Sequence, residues 1–320
     1  MFVDMPEDRL REHRSAVSEP EDFDEFWSRT VAEARTHDTP PQLVRVPSPL
    51  TTLEVHDVTF PGYGGEPVRA WYRRPAGVTG PLPVVVQYVG YGGGRGHHLE
   101  NLVWASAGYA HLQMDTRGQG SGWSRGDTPD SGGAGPQIPG VMTRGIEDPQ
   151  TYYYRRLFTD AVRAVDAARL LPGVDPERVA VLGGSQGGAM ALAVGGLVPD
   201  LAAVVAYVPF LCDIARAVTI TDAYPFREVA DYLATHREKV DAVLRTLSYI
   251  DGTAFARRGT APARFSAALM DDVVPPSTVF AAHNVYPAAK EIRVWPFNGH
   301  EAGAVQDDAE ALEFLARVLA

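Results

Sequence analysis

Ser185 stands in the stretch VAVLGGSQGGAM, with Gly183 and Gly187 two residues to either side. An apolar β-type run precedes it and the small-residue segment AMALAV follows it. G-x-S-x-G in that setting describes a serine on a sharp strand-to-helix turn. Larger side chains two positions away would collide there, and the hydroxyl projects above the sheet. Two phosphate-binding patterns fail on spacing, since neither G-x-G-x-x-G nor G-x-x-x-x-G-K-[ST] occurs between Gly183 and Gly188. The bland alternative is a set of glycines that only permits close packing.

A serine hydroxyl is a weak nucleophile near neutral pH, so this chemistry needs a base and a group to orient it. On a nucleophile turn the chain order is serine, acid, histidine. SAALMDDVVPP ends an apolar run at Met270 and puts Asp271 at the first turn position; IRVWPFNGHEAG then places His300 in a glycine-flanked loop. Asp272 competes with Asp271, and either carboxylate suits an ordinary turn or cap ahead of the helix that PPST would begin. Two oxyanion donors are also required. The amide of Gln186, directly after the serine, is one; the amide of Tyr91 in the glycine loop of VVVQYVGYGGGRG is the second. Such a donor is worth about 3 kcal/mol of transition-state stabilisation.

Arg117, Gly118 and Gln119 follow the strand-like AHLQMD. The arginine can brace loops through a carboxylate such as Asp213, or make a plain surface ion pair. Its permanently protonated guanidinium gives it no proton-transfer role. Zinc chemistry is poorly served: HEAGA lacks the second histidine of H-E-x-x-H and no cysteine cluster exists, leaving His97 and His98 as the remaining metal candidates. No cofactor is expected.

The elements that must position these groups are short apolar runs, LPVVVQYV, AHLQMD, RVAVLG, LAAVVAYV, ARFSAALM and EIRVWPF, alternating with helical segments such as 154–171 and 307–319. Strands alternating with helices predict an α/β fold: a mostly parallel sheet, helices on both faces, and ligands at the carboxyl ends of the strands. Ahead of it, EDFDEFWSRTVAEAR reads as an amphipathic helix whose Phe23, Phe26, Trp27 and Val31 form a packing face. LEVHDVTF and VRAWYRR read as a β-hairpin. The expected organisation is one domain over 1–320, with an N-terminal extension over 1–50 and irregular insertions near 118–152 and 209–260, which would wall the strand ends.

Composition narrows the partners. With 320 residues and 45% hydrophobic content the chain can bury a sizeable core. A net charge of −11 argues against nucleic acid or an anionic membrane as the main partner. The uncharged stretch from Val179 to Val198 is long enough to span a bilayer on paper, but its six glycines and Gln186 suit a buried strand running into a buried helix. Cys212 is the only cysteine, which excludes an intrachain disulfide. MFVDMPEDRLREHRS lacks the apolar run of a secretory signal, so a cytoplasmic location is the expectation.

GYGGGRG, DTRGQGSG, GGSQGG, LMDDVVPPSTVFAAHN and GHE together resemble the acetyl xylan esterase and cephalosporin C deacetylase family, the seventh carbohydrate esterase family. The likeness runs from DFDEFW through TLSYIDGTAFA to His300. The resemblance implies an α/β-hydrolase fold and a serine esterase acting through an acyl-enzyme on acetylated xylo-oligosaccharides, similar small acetyl esters and cephalosporin C. It assigns Ser185, Asp271 and His300 as the triad, Tyr91 and Gln186 as oxyanion amides, and a supporting role to Arg117–Gln119. An intracellular homohexamer whose sites face an internal cavity is also implied.

Overall fold

The structure is a computed structural model describing residues 2–133 and 135–320. Among these residues, nine strands form one sheet: β1 (Gln42–Arg45), β2 (Leu53–Pro61), β3 (Pro67–Pro75), β4 (Leu82–Tyr88), β5 (Ala110–Met114), β6 (Val174–Gly184), β7 (Ala203–Tyr207), β8 (Ala263–Ala268) and β9 (Lys290–Trp295). Their order is β1-β2-β3-β5-β4-β6-β7-β8-β9. The helices are α1 (Glu7–Glu12), α2 (Phe23–Arg35), α3 (Val103–Ser106), α4 (Tyr153–Ala168), α5 (Gln186–Leu197), α6 (Ile214–Ile220), α7 (Phe226–Thr235), α8 (Val240–Ser248), α9 (Gly252–Ala256), α10 (Pro276–Val285) and α11 (Val305–Val318).

From β5 through β9 the pairings are parallel, and these strands are the apolar runs of the sequence. Every residue of β8, and all of β7 except Tyr207, is buried, because helices cover both faces. A strand wet on one side would alternate; a strand covered on both sides has no reason to. One face packs on α4, α5 and α10. On the other, α11 and α3 cover Val85, Ala180, Leu182 and Val205. Helix α5 is buried almost all round, wedged between the sheet, α4 and α9, which explains its lack of a polar face. No helix among the described residues is long and apolar enough to cross a membrane.

The hairpin expected from LEVHDVTF and VRAWYRR is β2–β3, in register Val58 to Ala70, and β3 joins it to the parallel strands by pairing antiparallel with β5. Helix α2 lays Phe23, Phe26, Trp27 and Val31 into the core, where Trp27 stacks on Phe158 at 6.1 Å and donates to the Tyr249 carbonyl at 2.8 Å.

Two stretches differ from expectation. The N-terminal extension contributes a strand, β1, to the sheet edge; its four residues QLVR are mostly exposed and carry no alternation to betray them. The 209–260 insertion is not irregular but holds α6 to α9. Each is only 5 to 10 residues long, so the apolar period of Phe226, Val229 and Tyr232 runs for barely two turns. By contrast, no strand or helix forms among the described residues of 118–152.

Candidate active site

Ser185 lies between the end of β6 and the start of α5, with φ 55° and ψ −121°. Side chains other than glycine rarely adopt this conformation, at a cost of about 1–3 kcal/mol that surrounding contacts must offset. They do so by fixing both sides of the residue. Its N–H donates to the Tyr207 carbonyl at 2.9 Å, and its own carbonyl accepts from Phe210 and Ala189, each at 3.0 Å. The flanking glycines are steric requirements: a Cβ on Gly183 would lie 2.3 Å from the Gly187 carbonyl carbon, and one on Gly187 would lie 2.4 Å from the Tyr88 oxygen.

His300 Nε2 lies 3.0 Å from Ser185 Oγ, and its Nδ1 lies 2.9 Å from Asp271 Oδ2. Asp271 is fully buried in the turn after β8, where its other oxygen accepts from the amides of Val273 at 2.9 Å and Val274 at 2.8 Å. Asp272, its rival in the sequence, is exposed. The histidine loop is fastened at both ends. Glu301 accepts from Asn298 Nδ2 at 3.0 Å and from the Gly299 amide at 3.2 Å, and these bonds hold its carboxyl below the usual range. Asp307, pushed up by burial, accepts from the Gly303 amide at 2.8 Å and Trp295 Nε1 at 3.1 Å. The three side chains form one hydrogen-bonded row in which Nε2 is within reach of the hydroxyl proton.

Gln186 is the first residue of α5, so its N–H has no intrahelical acceptor. Tyr91 occupies the first corner of a turn closed by Gly93 N–H to the Gly90 carbonyl at 3.1 Å. A Cβ on Gly90 would come within 3.9 Å of the Ser185 Cβ, so this loop borders the serine directly. Gln119 links the glycine loop to the start of α5. Its Oε1 accepts from Gly92 N–H at 2.6 Å, while its Nε2 donates to Gln186 Oε1 at 2.8 Å and to Tyr153 Oη at 2.9 Å.

Arg117 is fully buried and braces loops, but not through Asp213. It meets Asp160 of α4 at 2.7 Å and Glu66 at 2.6 Å, whereas Asp213 is taken by His13 and Ser15. Burial alone would lower its pKa; Asp160 and Glu66 outweigh that and raise it above the ordinary value. The arginine leaves the strand end toward α4, while Asp213 lies beyond β7 at the start of α6. Gly118, with φ 64°, lets the chain turn between Arg117 and Gln119.

A cavity of about 830 Å³ opens at the serine, lined in part by Tyr91, Trp123, Tyr224, Pro225 and Val273. Among the described residues no three His, Cys, Asp or Glu side chains gather as metal ligands; His97 and His98 pack on one another, ring centres 4.2 Å apart. Sequence reasoning missed Asp115, a fully buried carboxylate after β5 that accepts from the amides of Arg95, Thr116, Asp127 and Thr128. It also missed Glu228 of α7, which accepts from Tyr91 Oη at 2.6 Å. The DTR triplet could have pointed to the first; nothing local in FREVADYLAT pointed to the second.

Comparison with known proteins agrees with this architecture. The structure superimposes on an acetyl xylan esterase from Paenibacillus sp. R4 with a TM-score of 0.93 and 38% identity, covering 98% of this chain and 100% of that one. Acetyl xylan esterase 1 from Thermoanaerobacterium sp. JW/SL YS485 gives 0.90 and 33%, covering 99% and 100%. The acylaminoacyl peptidase of Pyrococcus horikoshii, 16% identical with a TM-score of 0.61 over 84% of this chain and 42% of that one, shares the α/β-hydrolase fold alone. Acetyl esterase Axe7A of Xylanibacter ruminicola is 30% identical over 88% of this chain, which spans 63% of that relative's length. The family model described as acetyl xylan esterase matches residues 1–318, and the chain belongs to that family.

Proposed function

We propose that this protein is a serine esterase that removes acetyl groups from small carbohydrates such as acetylated xylo-oligosaccharides, and from other small acetyl esters including cephalosporin C. The observation that carries this is the hydrogen-bonded row from Asp271 through His300 to Ser185, opening into a cavity in a chain of the acetyl xylan esterase family. His300 Nε2 takes the hydroxyl proton as Ser185 Oγ attacks the acetyl carbonyl. Asp271 holds Nδ1–H toward itself, which leaves Nε2 free to accept and then stabilises the imidazolium. Charge on the carbonyl oxygen is met by the amides of Gln186 and Tyr91. The sugar hydroxyl departs with the proton from His300; water, activated by the same nitrogen, then releases acetate from the serine. Neither step calls for a metal or an organic cofactor.

The test is acetate release from acetylated xylosides, other acetylated sugars and cephalosporin C, together with p-nitrophenyl acetate turnover by Ser185→Ala. The variant should lose about 10³-fold or more in kcat while keeping its fold. Near-normal turnover by pure, folded Ser185→Ala would remove the mechanism, and rates rising from acetate to octanoate esters would remove the acetyl preference.

A further inference from the structure

Building on the esterase reading, we propose that Glu228 is a positioning residue for the oxyanion hole: its carboxylate latches the Tyr91 side chain and so fixes the Tyr91 amide beside Ser185. The latch joins three separate parts of the chain. Tyr91 Oη donates to Glu228 Oε1 at 2.6 Å and accepts from Val141 N–H at 2.7 Å, while Glu228 Oε2 accepts from Met142 N–H at 3.0 Å. The glycine loop, the 118–152 insertion and α7 of the 209–260 insertion therefore meet at one phenol–carboxylate pair.

Two features separate this latch from ordinary packing. Glu228 is 3% exposed, yet no Lys, Arg or His of the described residues forms an ion pair with it. Burying a carboxylate without a cation is costly, so its retention here calls for a reason beyond packing. The backbone is also shaped to admit the carboxylate: Gly140 has φ +116°, and a Cβ there would lie 2.3 Å from both Glu228 oxygens. Burial shifts the Glu228 carboxyl upward and is only partly countered by Tyr91 and Met142. Both oxygens face donors, which suits the ionised form.

Position matters at Tyr91 because its carbonyl is held as well, accepting from Trp123 Nε1 at 2.8 Å. The peptide that carries the Tyr91 N–H is held on its own carbonyl by Gly93 N–H at 3.1 Å, and with the Tyr91 side chain and carbonyl tied on the other side the donor has little freedom. Untying the phenol lets that donor drift while leaving substrate contacts elsewhere unchanged. The expected signature is a loss in kcat with little change in KM.

The test is a double-mutant cycle on p-nitrophenyl acetate hydrolysis, with active sites counted by a fluorophosphonate probe. Tyr91→Phe removes only the hydroxyl; Glu228→Leu removes only the carboxylate. Each should lower kcat per labelled site about tenfold, part of the 10²–10³ that a whole oxyanion donor is worth. KM should stay within about twofold and the double variant should be no slower than the slower single one. Glu228→Gln, which keeps one acceptor, should fall between wild type and Glu228→Leu. Glu228→Leu also strands the buried Met142 N–H and the Tyr91 hydroxyl, so its thermal midpoint should fall, and kcat is read well below that midpoint. Additive losses, unchanged kcat in both folded singles, or losses confined to KM would overturn the latch. Ser185→Ala, run alongside, separates the outcomes: if it keeps full turnover the esterase reading fails, and if it alone is inactive only the latch fails.

Discussion

Replacing Asp271 by Asn alters one atom and should nearly abolish turnover. Asp271 Oδ1 is pinned by two backbone donors, Val273 at 2.9 Å and Val274 at 2.8 Å, while Oδ2 faces His300 Nδ1 at 2.9 Å. An asparagine can keep its oxygen on the two valine amides, in which case its NH₂ faces Nδ1. The imidazole must then accept at Nδ1 and carry its proton on Nε2, so that Ser185 Oγ, 3.0 Å away, meets a proton in place of a lone pair. Turning the amide round restores the useful tautomer but points NH₂ at both valine N–H groups. Each buried donor left unpaired costs about 1–3 kcal/mol, so the unproductive arrangement is favoured by at least about 2 kcal/mol, a factor of about 30. Loss of the carboxylate opposite the developing imidazolium adds to this, and the combined drop in kcat should approach the roughly 10⁴-fold seen when the aspartate of a serine protease triad is changed in the same way. Steady-state kinetics on p-nitrophenyl acetate, with Asp272→Asn as control, reads the effect. Asp272 is exposed, and its backbone carbonyl, unchanged by the substitution, is what Thr221 Oγ1 bonds, so that control should stay within about twofold. Asp271→Asn retaining more than about a tenth of wild-type kcat, or Asp272→Asn falling equally far, would refute the tautomer argument.

Gln119→Leu strips the acceptor from Gly92 N–H and one donor from Gln186, loosening at once both segments proposed to carry the oxyanion amides. Its kcat should fall about tenfold or more, with KM changing less, and thermal unfolding should show a loss of about 1–3 kcal/mol for the unpaired amide. His283, packed against Phe265 and Phe280, is pushed down by burial from 6.5 to about 4, with Lys290, Arg11 and Arg14 adding to the shift. Between these values the unfolded chain binds a proton that the folded chain does not. Stability contributed at this site is therefore present above pH 6.5 and lost as pH falls toward 4, by about 3 kcal/mol in all. Denaturant unfolding of wild type and His283→Gln across that window should show a steeper acid decline in the wild type; parallel curves would refute it.

The legible part of this molecule was the part written locally. Runs such as LPVVVQY and AVVAY announce buried parallel strands because most of their residues are buried on a sheet that helices cover on both faces. The GGSQGG turn is equally local, since its glycines answer to clashes with residues close by in the same bend and with the adjacent strand. Chain order then placed Asp271 and His300 at strand ends on the same edge. What could not be read was pairing across the fold. Arg117 had several carboxylates in reach by type alone, and only the packing of α4 against the strand end selects Asp160 over Asp213. Glu228 looks like any helical glutamate in FREVADYLAT until α7 is seen turned toward the phenol of Tyr91. Strand β1 and the short helices α6 to α9 were hidden for a simpler reason: too few residues to show a period.

A glycine-rich loop solves one problem for an oxyanion site and creates another. Residues 90–96 include five glycines, which let the backbone approach Ser185, but each ordered residue forfeits about 1–2 kcal/mol of backbone freedom, and glycine forfeits the most. Only Tyr91 and the buried Arg95 bring side chains to offset this, so much of the loop's order comes from hydrogen bonds supplied by neighbours. Residues 119–125 run alongside it: Gly94 and Ser124 exchange backbone and side-chain bonds at 3.0 Å, Gly122 N–H donates to the Gly92 carbonyl at 2.9 Å, and Gly96 N–H to that of Arg125 at 2.8 Å. Gln119, Trp123, Asp115 and Glu228 bind the loop at four further points. At about 1 kcal/mol net per bond, this set is of the same order as the entropy it opposes. The segment that looks structureless in 118–152 thus begins with the splint for the glycine loop, and it can be an extended coil because its partner is a backbone, not a core.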